Sequence, residues 1–257
     1  MNLTPYLETA VRAARAAGAI HLYYREQDMH ISSKSSASDL VTLVDKLAEE
    51  KIRETVLEAY AEHSILGEEG GEVGSHDFRW VVDPLDGTVN YAHGFPVSCV
   101  SIGLEIAGER SVGVVYDPNR EELFTAVRGG GAFLNGRKIH VSACPSLTQP
   151  AFLATGFPYD VAEDRTNLRT LERVLAKGLP VRRPGSAALD LAYTASGRFD
   201  GFWEYKLNPW DVSAGLLLLE AAGGVFTNLE GKPYQYGQPL CCSNGLIHGE
   251  LLEVLAG

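Results

Sequence analysis

Three short segments carry acidic side chains in settings that a purely structural chain avoids. Glu68 and Glu69 lie in Gly67-Glu68-Glu69-Gly70-Gly71, directly after the apolar pair Ile65-Leu66. Asp83 and Asp86 lie in Trp80-Val81-Val82-Asp83-Pro84-Leu85-Asp86-Gly87-Thr88-Val89-Asn90, and Asp211 lies in Trp210-Asp211-Val212-Ser213-Ala214-Gly215. A strand ending at Asp83 is stopped by Pro84, and Gly87 frees the backbone to turn, so both carboxylates and the carbonyl of Leu85 are expected at one point. Carboxylates gathered on an apolar scaffold resist ionisation unless cations lie between them, and hard oxygen donors suit Mg2+. Each segment alone also has a plain reading: Glu68-Glu69 as a solvated turn, Asp83 and Asp86 as turn residues, Asp211 as a helix N-cap worth about 1 kcal/mol. The three together are harder to assign to structure alone.

The elements that must position these acids follow from hydrophobic periodicity. A helix is expected from Thr4-Pro5, read as N-cap and first turn, to about residue 24, because Leu7, Ala10, Val11, Ala14, Ala17 and Gly18 recur at helical spacing. A polar link over 30–38 leads to a second helix over about 39–63. Strands are expected over 80–82, 97–106, 112–116 and 123–127, the last three as an antiparallel meander. Gly129-Gly130-Gly131 follows a strand with no helix after it, which favours a turn over a phosphate cradle. From about Phe152 the pattern alternates: strands over 152–155, 181–182, 201–204, 225–227 and 240–243, and helices over 163–176, 186–195, 211–222 and 246–255. The expectation is a single domain over 1–257, with an α+β half (1–150) carrying the acid loops and an α/β half (151–257) behind it.

Composition narrows the partners. With 22 Lys and Arg against 33 Asp and Glu the formal charge is −11, which disfavours a nucleic-acid groove or an anionic membrane surface. Apolar residues at 45% and charged residues at 21% are ordinary for a globular chain. Cys99, Cys144, Cys241 and Cys242 lack zinc-ligand spacing and are expected as reduced thiols, and the histidines, His93 included, show no ligand spacing either. The first 25 residues do not read as a signal peptide, and the longest apolar run, broken at Glu220, is too short to span a bilayer, so a soluble cytoplasmic protein is expected.

With these residues in place, the sequence resembles the inositol monophosphatase family of Mg2+-dependent, lithium-sensitive phosphatases, most of all its bacterial members. The stretch W-x-x-D-P-x-D-G-T-x-N-[FY] stands at 80–91, and W-D-x-[AS]-A-G stands at 210–215, running on to Ala222-Gly223-Gly224. The likeness extends through Lys34 and Asp45, Gly131-Ala132-Phe133-Leu134-Asn135-Gly136, and Arg183-Pro184-Gly185-Ser186-Ala187-Ala188-Leu189.

The resemblance implies a layered αβαβα sandwich of the inositol monophosphatase / fructose-1,6-bisphosphatase type, with two to three Mg2+ ions per site. It implies that Glu68, Asp83 and the Leu85 carbonyl hold one ion, that Asp83, Asp86 and Asp211 hold a second, and that a third, looser one lies near Glu68. Thr88, backed by Asp45, would orient a metal-activated water, while the N–H groups of Gly87 and Thr88 meet the phosphate. Glu204, with Asp86, Asp211 and the backbone of Gly185, Ser186 and Ala187, would bind hydroxyls of the leaving group. Lys34 and Arg183 are further candidates; Arg182 and Arg183 read equally as a contact to a second anionic group or a partner subunit and as a solvated basic pair. Two mild departures, Ser186 for a frequent threonine and Ser213 for alanine, remove no ligand.

The implied reaction is hydrolysis of a small-molecule phosphate monoester by direct water attack, foremost myo-inositol monophosphate, with fructose-1,6-bisphosphate, histidinol phosphate or NADP as rivals. A homodimer is implied as well. A reading of another class is a regulatory protein that associates with the transcription machinery. Five site acids facing two or three divalent ions would receive about +4 to +6 in return, so the net charge does not exclude a phosphate substrate.

Overall fold

The computed structural model describes residues 1–25, 27, 32–33, 40–41, 43–74, 77–149 and 151–257; Lys34 lies outside them. In chain order the elements are α1 (Thr4–Tyr24), β1 (Ser32–Ser33), β2 (Leu40–Val41), α2 (Leu43–Ala59), β3 (Ser64–Gly67), β4 (Gly71–Val73), β5 (Phe78–Asp86), α3 (Thr88–Ala92), β6 (Cys99–Ile106), β7 (Glu109–Asp117), β8 (Glu122–Val127), β9 (Gly131–Leu134) and β10 (Arg137–Ile139). They continue with β11 (Leu153–Thr155), α4 (Thr166–Ala176), β12 (Val181–Arg182), α5 (Ala187–Ala195), β13 (Gly201–Glu204), α6 (Pro209–Ala221), β14 (Val225–Asn228), β15 (Leu240–Ser243) and α7 (His248–Ala256).

These elements form the expected layered α+β architecture. An eight-stranded sheet runs in the order β10-β9-β8-β7-β6-β5-β3-β4, and a five-stranded sheet in the order β12-β11-β13-β15-β14. Helices α1 and α2 cover the outer face of the larger sheet through Ala10, Ala14, Ala17, Ile52 and Val56. Helices α5 and α6 fill the space between the sheets, while α4 and α7 cover the far face of the smaller one. Helix α6 is apolar on every side, as a helix enclosed by two sheets must be, and Leu216, Leu217, Leu218 and Leu219 are all buried. It lies so close to β7 that a Cβ on Gly113 would stand 2.7 Å from the Ala214 carbonyl oxygen.

The antiparallel meander β6-β7-β8 forms as expected, and β9 and β10 extend it by two short strands that periodicity does not reveal. The glycine run is the turn between β8 and β9, with the Gly130 N–H bonded to the Val127 carbonyl at 2.9 Å. Two boundaries differ in ways that matter for the site. Strand β5 does not stop at Asp83 but continues to Asp86, with a register shift against β6 between those residues. Pro84, which cannot donate to a ladder, is tolerated at this irregularity. Helix α6 begins at Pro209 with Asn208 as its N-cap, so Asp211 lies inside the first turn rather than capping it. At the N-terminus the cap residue is likewise Leu3 and not Thr4. All four cysteines are free thiols. Among the described residues no helix is long and apolar enough to cross a membrane.

Candidate active site

The site is assembled where the C-terminal ends of β3, β5 and β13 meet the first turns of α3, α5 and α6. Strand β3 runs parallel to β5 with Gly67 opposite Val82, and the Glu68 N–H donates to the Val82 carbonyl at 3.2 Å, so Glu68 emerges beside Asp83. Glu49 of α2 fixes the loop that carries it. This buried carboxylate accepts the N–H groups of Glu69 and Gly70, each at 2.8 Å. The glycines make that clamp feasible, because a Cβ at Gly67 would fall 2.5 Å from the Glu49 carboxyl carbon.

Beyond the irregularity in β5, the chain is held from below and from the side. His21 of α1 donates from Nε2 to the Pro84 carbonyl at 2.9 Å, and the Tyr91 hydroxyl donates to the His21 carbonyl at 2.6 Å. Burial lowers the His21 pKa to about 4, so the ring stays neutral. Asp83 is buried and accepts the Leu85 N–H at 3.0 Å. Gly87 turns the backbone at φ 94°, a conformation open to glycine, where a Cβ would stand 2.8 Å from the Val97 carbonyl oxygen. The Thr88 hydroxyl then sits between the Asp45 carboxylate (2.9 Å) and the Leu85 carbonyl (3.0 Å). Asn90 ties this turn to the other half of the chain: its amide nitrogen lies 2.8 Å from the Val97 carbonyl and 2.9 Å from that of Pro184.

That tie brings the start of α5 onto Asp86. Asp86 Oδ2 accepts the Ser186 hydroxyl and the Ala188 N–H, both at 2.7 Å. Ser186 is the N-cap of α5, which accounts for serine in place of threonine: either supplies the hydroxyl. Ser213 has a comparably simple role, donating to the buried Glu105 at 3.2 Å. Asp211, the third residue of α6, returns Oδ2 to the Asn208 N–H at 2.6 Å, one half of a capping box.

The electrostatics of this floor are those of crowded acids. Burial pushes the Asp86 pKa up to about 6, against the opposing pull of its bonds from Ser186, Ala188 and Ala187. Asp83 is raised well above the carboxylate range, first by burial and then by Glu68, Asp86 and Asp211. Asp211 is raised by burial and by Asp86 and Glu68. The Cys99 thiol beneath Asp86 is pushed up by burial as well, which keeps it protonated.

The opposite wall is built differently. Glu204, at the end of β13, lies directly over Gly156, where a Cβ would fall 2.1 Å from its carboxylate oxygen. Behind it the Trp203 indole donates to Asn167 at 2.7 Å, the Thr155 hydroxyl donates to the Trp203 carbonyl at 2.8 Å, and the Asn167 amide donates to the Gly156 carbonyl. Burial raises the Glu204 pKa to about 8, Asp86 adds to the rise and Arg183 opposes it. The two arginines of the basic pair part company: Arg183 lines the cleft, while Arg182 stacks on the Phe152 ring at 4.9 Å.

The structure therefore brings Glu68, Asp83, Leu85, Asp86, Gly87, Thr88, Gly185, Ser186, Ala187, Glu204 and Asp211 to one cavity of about 580 Å3. Asp45 stands behind Thr88, and His93 is exposed at the end of α3. Glu49, Asn90 and Asp190 belong to the same construction although no motif reading assigns them a task. Glu49 had one signal, an acid four residues after Asp45 on a helix; Asp190 had another, an acid within an apolar helical run.

The donor set suits a hard divalent cation, since Glu68 and Asp86 raise the pKa of both Asp83 and Asp211 and a positive charge between them would relieve that. Among the described residues, no three acid, histidine or cysteine side chains already converge as a finished cage, so the floor is an array that a cation would draw together.

Comparison with known proteins agrees along the whole chain. The model of the inositol monophosphatase family matches residues 2–256. An inositol-1-monophosphatase of Synechocystis sp. is 43% identical over 99% of this chain and 90% of its own length. The Nus factor SuhB of Escherichia coli K12 is 46% identical over 88% of this chain and 86% of its own. The solved inositol monophosphatase of Anabaena superposes with a TM-score of 0.87 at 42% identity, covering 100% of this chain and 97% of that one.

Proposed function

The chain belongs to the inositol monophosphatase family, and on that premise we propose that it hydrolyses myo-inositol monophosphate to myo-inositol and phosphate with Mg2+ as cofactor. The reaction class, hydrolysis of a phosphate monoester, comes with the family. The observation that carries the finer reading is the pairing of two walls in one cleft: acids from β5, α6 and the β3–β4 loop on one side, and Glu204 on the other.

Glu68, Asp83, Asp86 and Asp211, with the Leu85 carbonyl, are the residues that would hold two to three ions. When bound, Mg2+ lowers the pKa of the attacking water and offsets charge on the phosphoryl oxygens. Thr88 orients the water: its hydroxyl, fixed by donation to Asp45, leaves oxygen lone pairs free to accept the water's proton in a hydrogen bond. The backbone N–H groups at Gly87 and Thr88 face the phosphate. Asp86 has one oxygen committed to Ser186 and Ala188, so it is ill placed as a covalent nucleophile. Glu204 accepts a hydrogen bond from a hydroxyl of the leaving group and offers no positive charge to a second phosphate there.

A phosphate-release panel over myo-inositol 1-phosphate, fructose-1,6-bisphosphate, histidinol phosphate and NADP, with and without Mg2+ and with Li+, tests this reading. The inositol ester is expected to have the highest kcat/KM, with release abolished by chelation and inhibited by Li+. Faster turnover of any rival, or full activity in chelator, overturns it. A second reading, association with the transcription machinery, has the 46% identity to a Nus factor in its favour. Recovery of RNA polymerase with the tagged protein, unaffected by Mg2+, is its test, and light scattering checks the implied homodimer.

A further inference from the structure

Asp190 is the fourth residue of α5 and is 1% exposed, yet its Oδ1 has no hydrogen-bond partner, and no described donor reaches its carboxyl. Burying a carboxyl without a partner is costly, and a position with only a packing role between the two sheets would hold an apolar side chain, as its neighbours Leu189 and Leu191 do. Asp190 also lines the cleft, at the end occupied by Glu204 and Arg183. These groups are near enough to influence one another: Glu204 and Asp86 disfavour the ionised form of Asp190, and Arg183 favours it. One guanidinium and two carboxyl groups thus line this part of the cleft.

We propose that Asp190 is a specificity-determining residue: together with Glu204 it takes hydrogen bonds from neighbouring hydroxyls of a polyhydroxylated leaving group. It thereby favours polyol phosphates over simple aryl phosphates. This rests on the phosphate-monoesterase reading above and adds the second acid of the leaving-group pocket. Two carboxyls lining the same cleft offer acceptors to more than one hydroxyl of a polyol, which an ester without hydroxyls cannot use. The strain of an unpartnered buried carboxyl is then relieved when substrate supplies the missing donor, an interaction absent for an ester without hydroxyls. An aminoalkyl ester is the competing class, since an ammonium also donates to two acids; Arg183 already supplies the cation on this wall and makes the neutral donor the better complement.

The test compares the wild type with Asp190→Asn on myo-inositol 1-phosphate, phenyl phosphate and phosphoethanolamine, alongside thermal unfolding. The amide keeps shape and one acceptor. The expected result is a KM for the inositol ester raised at least fivefold with kcat within twofold, phenyl phosphate within twofold on both constants, and an unfolding midpoint unchanged or raised. Equal changes on the inositol and phenyl esters, or none on either, overturn the proposal. So does a greater loss on phosphoethanolamine than on the inositol ester, or an unfolding midpoint lowered by more than about 5 °C, which marks a structural role. If the variant does not fold, that too assigns Asp190 to structure and overturns the proposal. A wild type that turns over phenyl phosphate but no polyol ester overturns the polyol reading and this proposal with it, whereas equal changes or none in Asp190→Asn overturn this proposal alone and leave the polyol reading standing.

Discussion

The two walls of the cleft are both acidic, but they are built to opposite rules. On the floor, Asp86 takes two hydrogen bonds from the start of α5, Asp211 takes one from its own helix, and Glu68 rides on a loop pinned by Glu49. These acids are oriented before anything binds. On the facing wall Glu204 is supported by packing on Gly156, and Asp190 has no hydrogen bond at its carboxyl. Fixed orientation suits groups that must surround a small hard ion at set directions, whereas bare acceptors suit a ligand that brings its own donors. If this division is right, variants on the floor should damage every substrate alike, and variants on the wall should damage substrates selectively.

The largest effect belongs to the floor. Asp83→Asn and Asp211→Asn each replace an anionic oxygen by a neutral amide among cation-holding acids. Each should lower kcat about a thousandfold on inositol and phenyl phosphates alike. Far-UV circular dichroism should stay native, because removing a charge from crowded acids relieves repulsion. Turnover within tenfold of wild type in either variant would sink the floor assignment.

Next comes the support behind the floor. In Glu49→Gln one oxygen can still accept an N–H from Glu69 or Gly70, but the amide nitrogen then faces the other donor. Losing that bond and leaving a buried N–H unsatisfied costs about 1–3 kcal/mol. Because the loop carries Glu68, the Mg2+ concentration for half-maximal activity should rise about 10-fold to 100-fold, with kcat at saturating Mg2+ largely recovered. An unchanged Mg2+ requirement would detach Glu49 from the site.

The wall should respond more weakly and with selectivity. Gly156→Ala places a methyl where the Glu204 carboxylate now lies, so that carboxylate must move. Both this variant and Glu204→Gln should raise KM for inositol phosphate about tenfold while leaving phenyl phosphate nearly untouched. Equal losses on both esters would erase the distinction between the walls.

The same division explains which parts of the molecule were readable in the sequence. Asp83, Asp86, Thr88 and Asp211 were legible because each lies in a short motif whose own spacing sets its geometry. The central position of α6 was legible from a run apolar on all sides. Asn90, Glu49 and Asp190 act across elements far apart in the chain: Asn90 on Pro184, Glu49 on the loop after β3, Asp190 beside Glu204. No local pattern announces such a pairing. Strands β3, β4, β9 and β10, of three or four residues each, are too short for alternation to register. The passage of β5 through Pro84 was missed because the rule against proline in a strand holds for a regular ladder, and the ladder is irregular there.

The sharpest test of the contrast is in the pH dependence of stability. Without metal, Asp86 and Glu204 bind their protons more tightly in the folded chain, at about 6 and about 8, than in the unfolded one. The stability they contribute is therefore fully present below the ordinary carboxylate range and is lost as the pH rises through about 6 and then about 8. In chelator the unfolding midpoint should fall on the order of 10 °C between pH 5 and pH 8.5, because the two raised carboxyls lose about 5 kcal/mol over that range and one kcal/mol corresponds to about 2–4 °C for a chain of this size. Saturating Mg2+ should remove the Asp86 part of that fall, which ends near pH 6, because the ion takes the place of the proton on the floor acids. It should leave the Glu204 part, which runs on to about pH 8 and which Glu204→Gln alone should abolish. If Mg2+ flattened the whole profile, Glu204 would belong with the cation-holding acids and the two walls would be one.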